Sequence, residues 1–214
     1  DQIVVIDAGI QLGDNGPGIQ YAIPDTHYLE ERKHMVKAMV ITHGHLDHIG
    51  AIPFVMEKMG NPPIYTREFG ALLISKRQEE YPHLPPLDVR IIEKDEGSVK
   101  LSEDFKVKFF GLTHSIPDST GVIIETPYGD IVSTGDVRVE NIEGVPVPYE
   151  VDQYKLFKDR KVLLMTMDST GIPTPGWSLA ESIVIKTVDA LIRDTKGRLL
   201  IAMFASQVER VIEF

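Results

Sequence analysis

Cysteine is absent from the 214 residues, which excludes disulfide bonds and every thiolate zinc site. The same absence fits a reducing compartment, so the cytoplasm is the expected location. No apolar run reaches the ~20 residues needed to span a bilayer, and no leader pattern opens the chain. No membrane association is therefore expected. A basic excess is lacking too, since the formal net charge is -10. That argues against a nonspecific nucleic-acid coat, but a metal-assisted nuclease stays open because divalent ions neutralise phosphate locally. Internal repeats and low-complexity tracts are missing as well. The hydrophobic share of 43% and charged share of 25% are those of an ordinary globular protein.

What stands out is the run Thr42-His43-Gly44-His45-Leu46-Asp47-His48-Ile49-Gly50. It follows Ala38-Met39-Val40-Ile41, an apolar stretch that reads as a buried strand. A lone histidine is usually solvated or packed. Three histidines and a carboxylate this close together suit a metal, and Zn²⁺ first, because it takes imidazole nitrogen and carboxylate oxygen at short distance. His43 and His45, two apart at a strand end, can share a face. Asp47 and His48 follow where the chain turns into a helix, so they can address a second position, where more carboxylate character also admits Mn²⁺.

Patterning predicts alternating strands and helices, hence an α/β layered fold. Strands are expected over 2–6, buried on both faces, and over 38–42, 89–92, 105–110, 121–125 and 130–133, with a turn at Thr126-Pro127-Tyr128-Gly129. A buried strand over 161–167 delivers Asp168, and another spans 199–204. Helices are expected over 28–37, over 46–59 with Pro53 kinking it or delaying its start, and over 67–81 with Ala71, Leu72 and Ile74 inward. Further helices are predicted over 153–160 and over 178–194, the latter with Leu179, Ile183, Ile185, Val188 and Leu191 inward. A last one starts at a Ser206 cap. His27, His34 and His83 read as exposed side chains.

The run His43 to His48 resembles the metal-binding signature of the metallo-β-lactamase fold hydrolases. Other pieces stand in the order that superfamily requires. Val4-Val5-Ile6-Asp7-Ala8-Gly9 resembles the early strand whose aspartate supports the site. Gly111-Leu112-Thr113-His114-Ser115-Ile116-Pro117-Asp118-Ser119 resembles the segment giving a third histidine, and Ser133-Thr134-Gly135-Asp136 the strand end whose aspartate bridges two metals. More narrowly, the His114–Ser119 segment, Met167-Asp168-Ser169-Thr170, Ala202-Met203-Phe204-Ala205-Ser206 and the Gly9–Asp25 stretch are similar to the ribonuclease J group of β-CASP nucleases.

The resemblance implies a layered αββα sandwich, truncated, over residues 1–175, and the start of an inserted β-CASP α/β domain over 176–214. It implies a first Zn²⁺ on His43, His45 and His114, and a second on Asp47, His48 and a histidine with no counterpart here. Asp136 would bridge the two and Asp7 would hold ligand histidines by hydrogen bonds. Asp47 and Asp168 would take catalytic parts, and Ser115, Asp118 and Ser119 would line a substrate channel. RNA is the implied substrate, with 5′-to-3′ and internal cleavage in mRNA turnover and rRNA maturation, by a homodimer or tetramer. The chain opens at Asp1 on an apolar strand and stops at Phe214 inside a predicted helix, so a fragment of a longer protein is expected. Two other readings are compatible with the ligand motifs: a hydrolase of a thioester or lactone, and a non-catalytic, metal-stabilised RNA-binding module.

Overall fold

Val- and Ile-rich runs build two main sheets among the residues that the computed structural model describes, 2–13, 16–93 and 98–213. The first sheet holds β1 (Ile3–Ile6), β2 (Val36–Val40), β3 (Ile64–Thr66) and β4 (Val89–Ile91), adjacent in that order and all parallel. Parallel neighbours need crossovers. These contain α1 (His27–Glu30), then α2 (Leu46–Ile49) with α3 (Ile52–Val55), then α4 (Glu68–Glu79). The second sheet begins as an antiparallel meander of β5 (Val99–Lys100), β6 (Lys106–Gly111), β7 (Thr120–Thr126) and β8 (Gly129–Ser133). A small hairpin, β9 (Asn141–Ile142) and β10 (Val145–Pro146), and α5 (Pro148–Tyr154) follow. Then β11 (Val162–Thr166) joins β8 in parallel. The chain continues through α6 (Glu181–Asp194) and α7 (Val208–Glu213).

The two-residue period of β2 decides the layering. Met39 faces helices α2 to α4, where Ile49, Ile52, Val55 and Ile74 form one core. Ala38 and Val40 face the other way and meet Val107, Phe109, Val122 and Ile124 of the second sheet. On that sheet's outer side Phe110, Ile123 and Val132 pack against Tyr154, Leu156 and Phe157. The order is therefore helix, sheet, sheet, helix. Ile123 is 0% exposed at the centre of β7. Ile123→Ala is expected to cost about 2–5 kcal/mol, read from urea unfolding. A loss well under 1 kcal/mol would contradict this packing.

Several expected elements differ. The helix over 28–37 is a single turn, because strand β2 already starts at Val36. The helix over 46–59 is broken into α2 and α3, and Pro53 sits in the first turn of α3, where its missing N–H costs nothing. In α4 it is Leu73 that packs on the core, while Leu72 faces solvent. β1 is half-buried, since it lies at the end of its sheet. β11, predicted to be buried, is exposed along its length for the same reason. Residues 199–204 form no strand, and Leu200 is 87% exposed. Helix α6 buries no residue, so Leu179, Ile183 and Leu191 are exposed rather than inward. Ser206 lies in a turn ahead of α7, which starts at Val208. β5 and the β9–β10 hairpin are too short for any periodicity to reveal. No helix among the described residues is long and apolar enough to cross a membrane.

Candidate metal centre

Five segments that follow strands converge at one end of the sheets. Asp7 follows β1, the His43–His48 run follows β2, His114 lies in the loop after β6, Asp136 follows β8 and Asp168 follows β11. Open α/β sheets build sites at such strand ends. Ligand atoms of His43, His45, His114 and Asp136 all lie within 4.8 Å of one another, and so do those of Asp47, His48 and Asp136. Asp136 belongs to both groups. Its carboxylate lies 3.2 Å from Nε2 of His48, 3.6 Å from Nε2 of His114 and 4.0 Å from Nε2 of His43.

Hydrogen bonds fix how the rings face. The carboxylate of Asp7 accepts the backbone N–H of Thr42 and the Thr42 hydroxyl, each at 2.8 Å. That hydroxyl has one proton and gives it to Asp7, so toward Nδ1 of His43, 3.0 Å away, it can only accept. His43 thus carries its proton on Nδ1 and turns a bare Nε2 toward Nδ1 of His45 at 3.1 Å, and Nε2 of His114 lies 3.3 Å from the same His45 atom. Three ring nitrogens crowded at this separation suit a shared cation. Zinc–nitrogen distances of ~2.0–2.1 Å in a tetrahedron place neighbouring nitrogens about 3.3 Å apart. The donor set therefore fits a divalent metal. Asp7 also accepts Nδ1 of His48 at 2.8 Å, which leaves Nε2 of that ring facing Asp136.

Protonation follows from these surroundings. Burial, followed by the neighbouring rings of His48, His114 and His45, pushes His43 down to about 2. Burial also lowers His45 and His114. At neutral pH the three rings are therefore neutral, the form in which an imidazole can bind a metal. Burial works against the charged form of His48 as well. Its hydrogen bonds to Asp136 and Asp7 outweigh that and raise it to about 10. The hydrogen bond from His48, set against burial, holds Asp136 at about 2. A cation shared by His48 and Asp136 would replace the proton between them.

Two glycines make the convergence possible. A Cβ on Gly9 would lie 1.6 Å from the Asp47 carbonyl oxygen, so only glycine lets the chain after β1 run against α2. Gly135 has φ +58°, and a Cβ there would press on Thr42 at 2.8 Å.

The remaining predicted residues separate. Asp47 is in the second group with its side chain 57% exposed. Asp168 stands outside both groups. It accepts the N–H of Val137 at 3.3 Å and that of Thr170 at 2.8 Å, bracing the loop that carries Asp136. Ser115 lines a cavity of about 350 Å³ with His114, Arg138, Glu181 and Arg210. Asp118 accepts the N–H of Phe69 at the start of α4, Ser119 is only 6% exposed, and neither lines that cavity. His27, His34 and His83 are exposed and lie outside both groups. Sequence reasoning missed the orienting role of Thr42, although a hydroxyl beside a ligating histidine was a usable signal. It also missed Arg138, Glu181 and Arg210, which no local motif connects.

The family described as the metallo-beta-lactamase superfamily matches residues 1–200. The chain belongs to that superfamily. The α/β layering expected from the sequence is thus that of a metallo-beta-lactamase domain. Among curated relatives, ribonuclease J of Corynebacterium glutamicum is 36% identical over 212 residues, covering 99% of this chain and 29% of that protein. Ribonuclease J of Mycoplasma genitalium is 34% identical over 216 residues, covering 100% of this chain and 37% of that protein. This metallo-beta-lactamase chain therefore spans well under half the length of these relatives. A solved structure of a protein of unknown function from Enterococcus faecalis V583 shares the fold, with a TM-score of 0.64, 17% identity, all of this chain and 57% of that one covered.

Proposed function

We propose that this chain is the metal-bearing part of a ribonuclease J-like enzyme that hydrolyses RNA phosphodiesters. The observation that carries the reading is the convergence of two ligand groups on the shared Asp136, in a chain resembling ribonuclease J along its whole length. His43, His45, His114 and Asp136 would hold one divalent ion, and Asp47, His48 and Asp136 a second, with Zn²⁺ favoured and Mn²⁺ suited to the second position. Such ions supply Lewis acidity, making water a better nucleophile near neutral pH and neutralising charge on a phosphoryl oxygen. The chain's own residues do the rest. Asp7 and Thr42 orient His48 and His43. The exposed carboxylate of Asp47 can orient a water and take its proton. Asp168 braces the Asp136 loop.

The finer parts of the proposal come from the same resemblance. They are cleavage both internally and from the 5′ end, action in mRNA turnover and rRNA maturation, a homodimeric or homotetrameric whole protein, and the cytoplasm as location. We place the domain division at 175/176. In support, helices α6 and α7 add no residue to the three hydrophobic cores among the described residues.

The test incubates the full-length protein with 5′-monophosphorylated RNA labelled at its 5′ end, and in parallel with a thioester. Release of labelled nucleotide or short RNA, lost on chelation and restored by Zn²⁺ or Mn²⁺, is expected. Thioester turnover by metal-loaded protein that leaves RNA intact would replace this reading with the thioester one. RNA binding with neither activity would leave a binding module.

A further inference from the structure

A half-buried cluster of charges beside His114 takes no part in that chemistry. Arg138 lies two residues after Asp136, and its backbone N–H donates to the Thr113 carbonyl at 2.7 Å, next to His114. Its guanidinium donates to Glu181, the first residue of α6. The same Glu181 carboxylate accepts Nε and Nη2 of Arg210 on α7, at 2.6 and 2.9 Å. All three side chains are half-buried. The backbone N–H of Glu181 donates to Glu140 at 3.0 Å, and Asn141 donates to the Ser178 carbonyl at 3.0 Å, so the docking of 178–181 on the 138–141 loop is doubly tied. Helices α6 and α7 bury no residue. Their polar attachment to the metal-bearing layers therefore runs through this loop, which also carries the carboxylate common to both ligand groups.

We propose that Glu181 is a positioning residue. By bridging Arg138 and Arg210 it couples the seating of α6 and α7 to the placement of Asp136, so that metal retention depends on those helices being docked. Two guanidiniums on one carboxylate is a geometry that fixes direction as well as charge. Freed of the Glu181 carboxylate, the Arg138 guanidinium would keep its 3.7 Å approach to Glu140, and the Asp136 loop would be left with the backbone and Asn141 ties alone. The inference rests on the ligand reading of Asp136 but not on the identity of the substrate. A structural role alone predicts something different, and the molecule contains a built-in control. Arg160 likewise bridges two carboxylates, Glu125 and Asp130, at 3.1 and 2.8 Å, within the second sheet and apart from both ligand groups.

The experiment measures Zn²⁺ affinity of the full-length protein by competition with a chromophoric chelator, for wild type and for Glu181→Gln, Arg210→Gln and Arg160→Ala, with folding checked by circular dichroism. Glu181→Gln is expected to weaken metal binding about fivefold, below the ~10-fold or more that follows loss of a direct hydrogen-bond partner of a ligand. Arg210→Gln leaves Glu181 and Arg138 in place and is expected to weaken binding by a smaller but clear factor. It serves also if Glu181→Gln does not fold. The double Glu181→Gln/Arg210→Gln variant should lose no more than Glu181→Gln alone. Arg160→Ala should lower thermal stability and leave affinity within twofold. Wild-type affinity in Arg210→Gln, or an equal loss in Arg160→Ala, would overturn the coupling while leaving the ligand reading intact. A wild-type protein that binds no Zn²⁺ would overturn both.

Discussion

Asp136→Ala is expected to empty both ligand groups together and to reduce RNA hydrolysis by about 10³-fold or more, roughly 4 kcal/mol of transition-state stabilisation. The reason is its position. It is the one residue common to the two groups, and it lies within 4.0 Å of His43, His48 and His114. Without it His48 keeps its bond to Asp7 but loses the partner that, with Asp7, offsets the cost of its burial. Asp47→Ala should behave differently. It touches only the second group, so the complete first group of His43, His45, His114 and Asp136 should still hold one ion. Metal per chain measured on both variants by mass spectrometry separates the cases. An Asp136→Ala protein that retains two ions and wild-type turnover would remove the assignment.

Gly9→Ala carries the second large effect, this time on stability. The methyl group would overlap the backbone of Asp47, with oxygen at 1.6 Å, carbon at 2.1 Å and the His48 nitrogen at 2.9 Å. Backbone cannot turn aside as a side chain can. The two segments are also stapled: Ala8 donates to His48 at 2.7 Å, Ile10 to Leu46 at 3.1 Å and Ala51 to Ala8 at 2.9 Å. The expected loss is about 4 kcal/mol or more, a fall in Tm of roughly 8–16 °C, with metal affinity falling alongside. Gly111→Ala is the matched control, because a Cβ there would meet nothing within 4 Å. Equal melting temperatures for the two variants would contradict the close approach.

How much of this was legible beforehand depended on whether the signal was local. The His43–His48 run, Asp7, His114 and Asp136 each sit in a short segment at a strand end. The sequence therefore showed them singly, and the fold brings them within reach of one another. The interior strands β2, β6, β7 and β8 were readable because burial on one or both faces leaves a pattern. The edges were not. Lys161 to Met167 reads as core from its composition, yet β11 ends its sheet and is exposed. Composition reports what a strand can bury and not which neighbours it finds. Leu72 against Leu73 shows the same limit inside a helix, where one residue of phase decides which leucine reaches the core. The Arg138–Glu181–Arg210 cluster joins residues far apart in the chain, and nothing short of the fold could have placed them together.

The common carboxylate has a consequence for loading. One oxygen of Asp136 already faces His48 while the other faces His43 and His114. Neither ion would have to turn the carboxylate that the other uses, so the loop after β8 should stand ready in the metal-free protein and change little on loading.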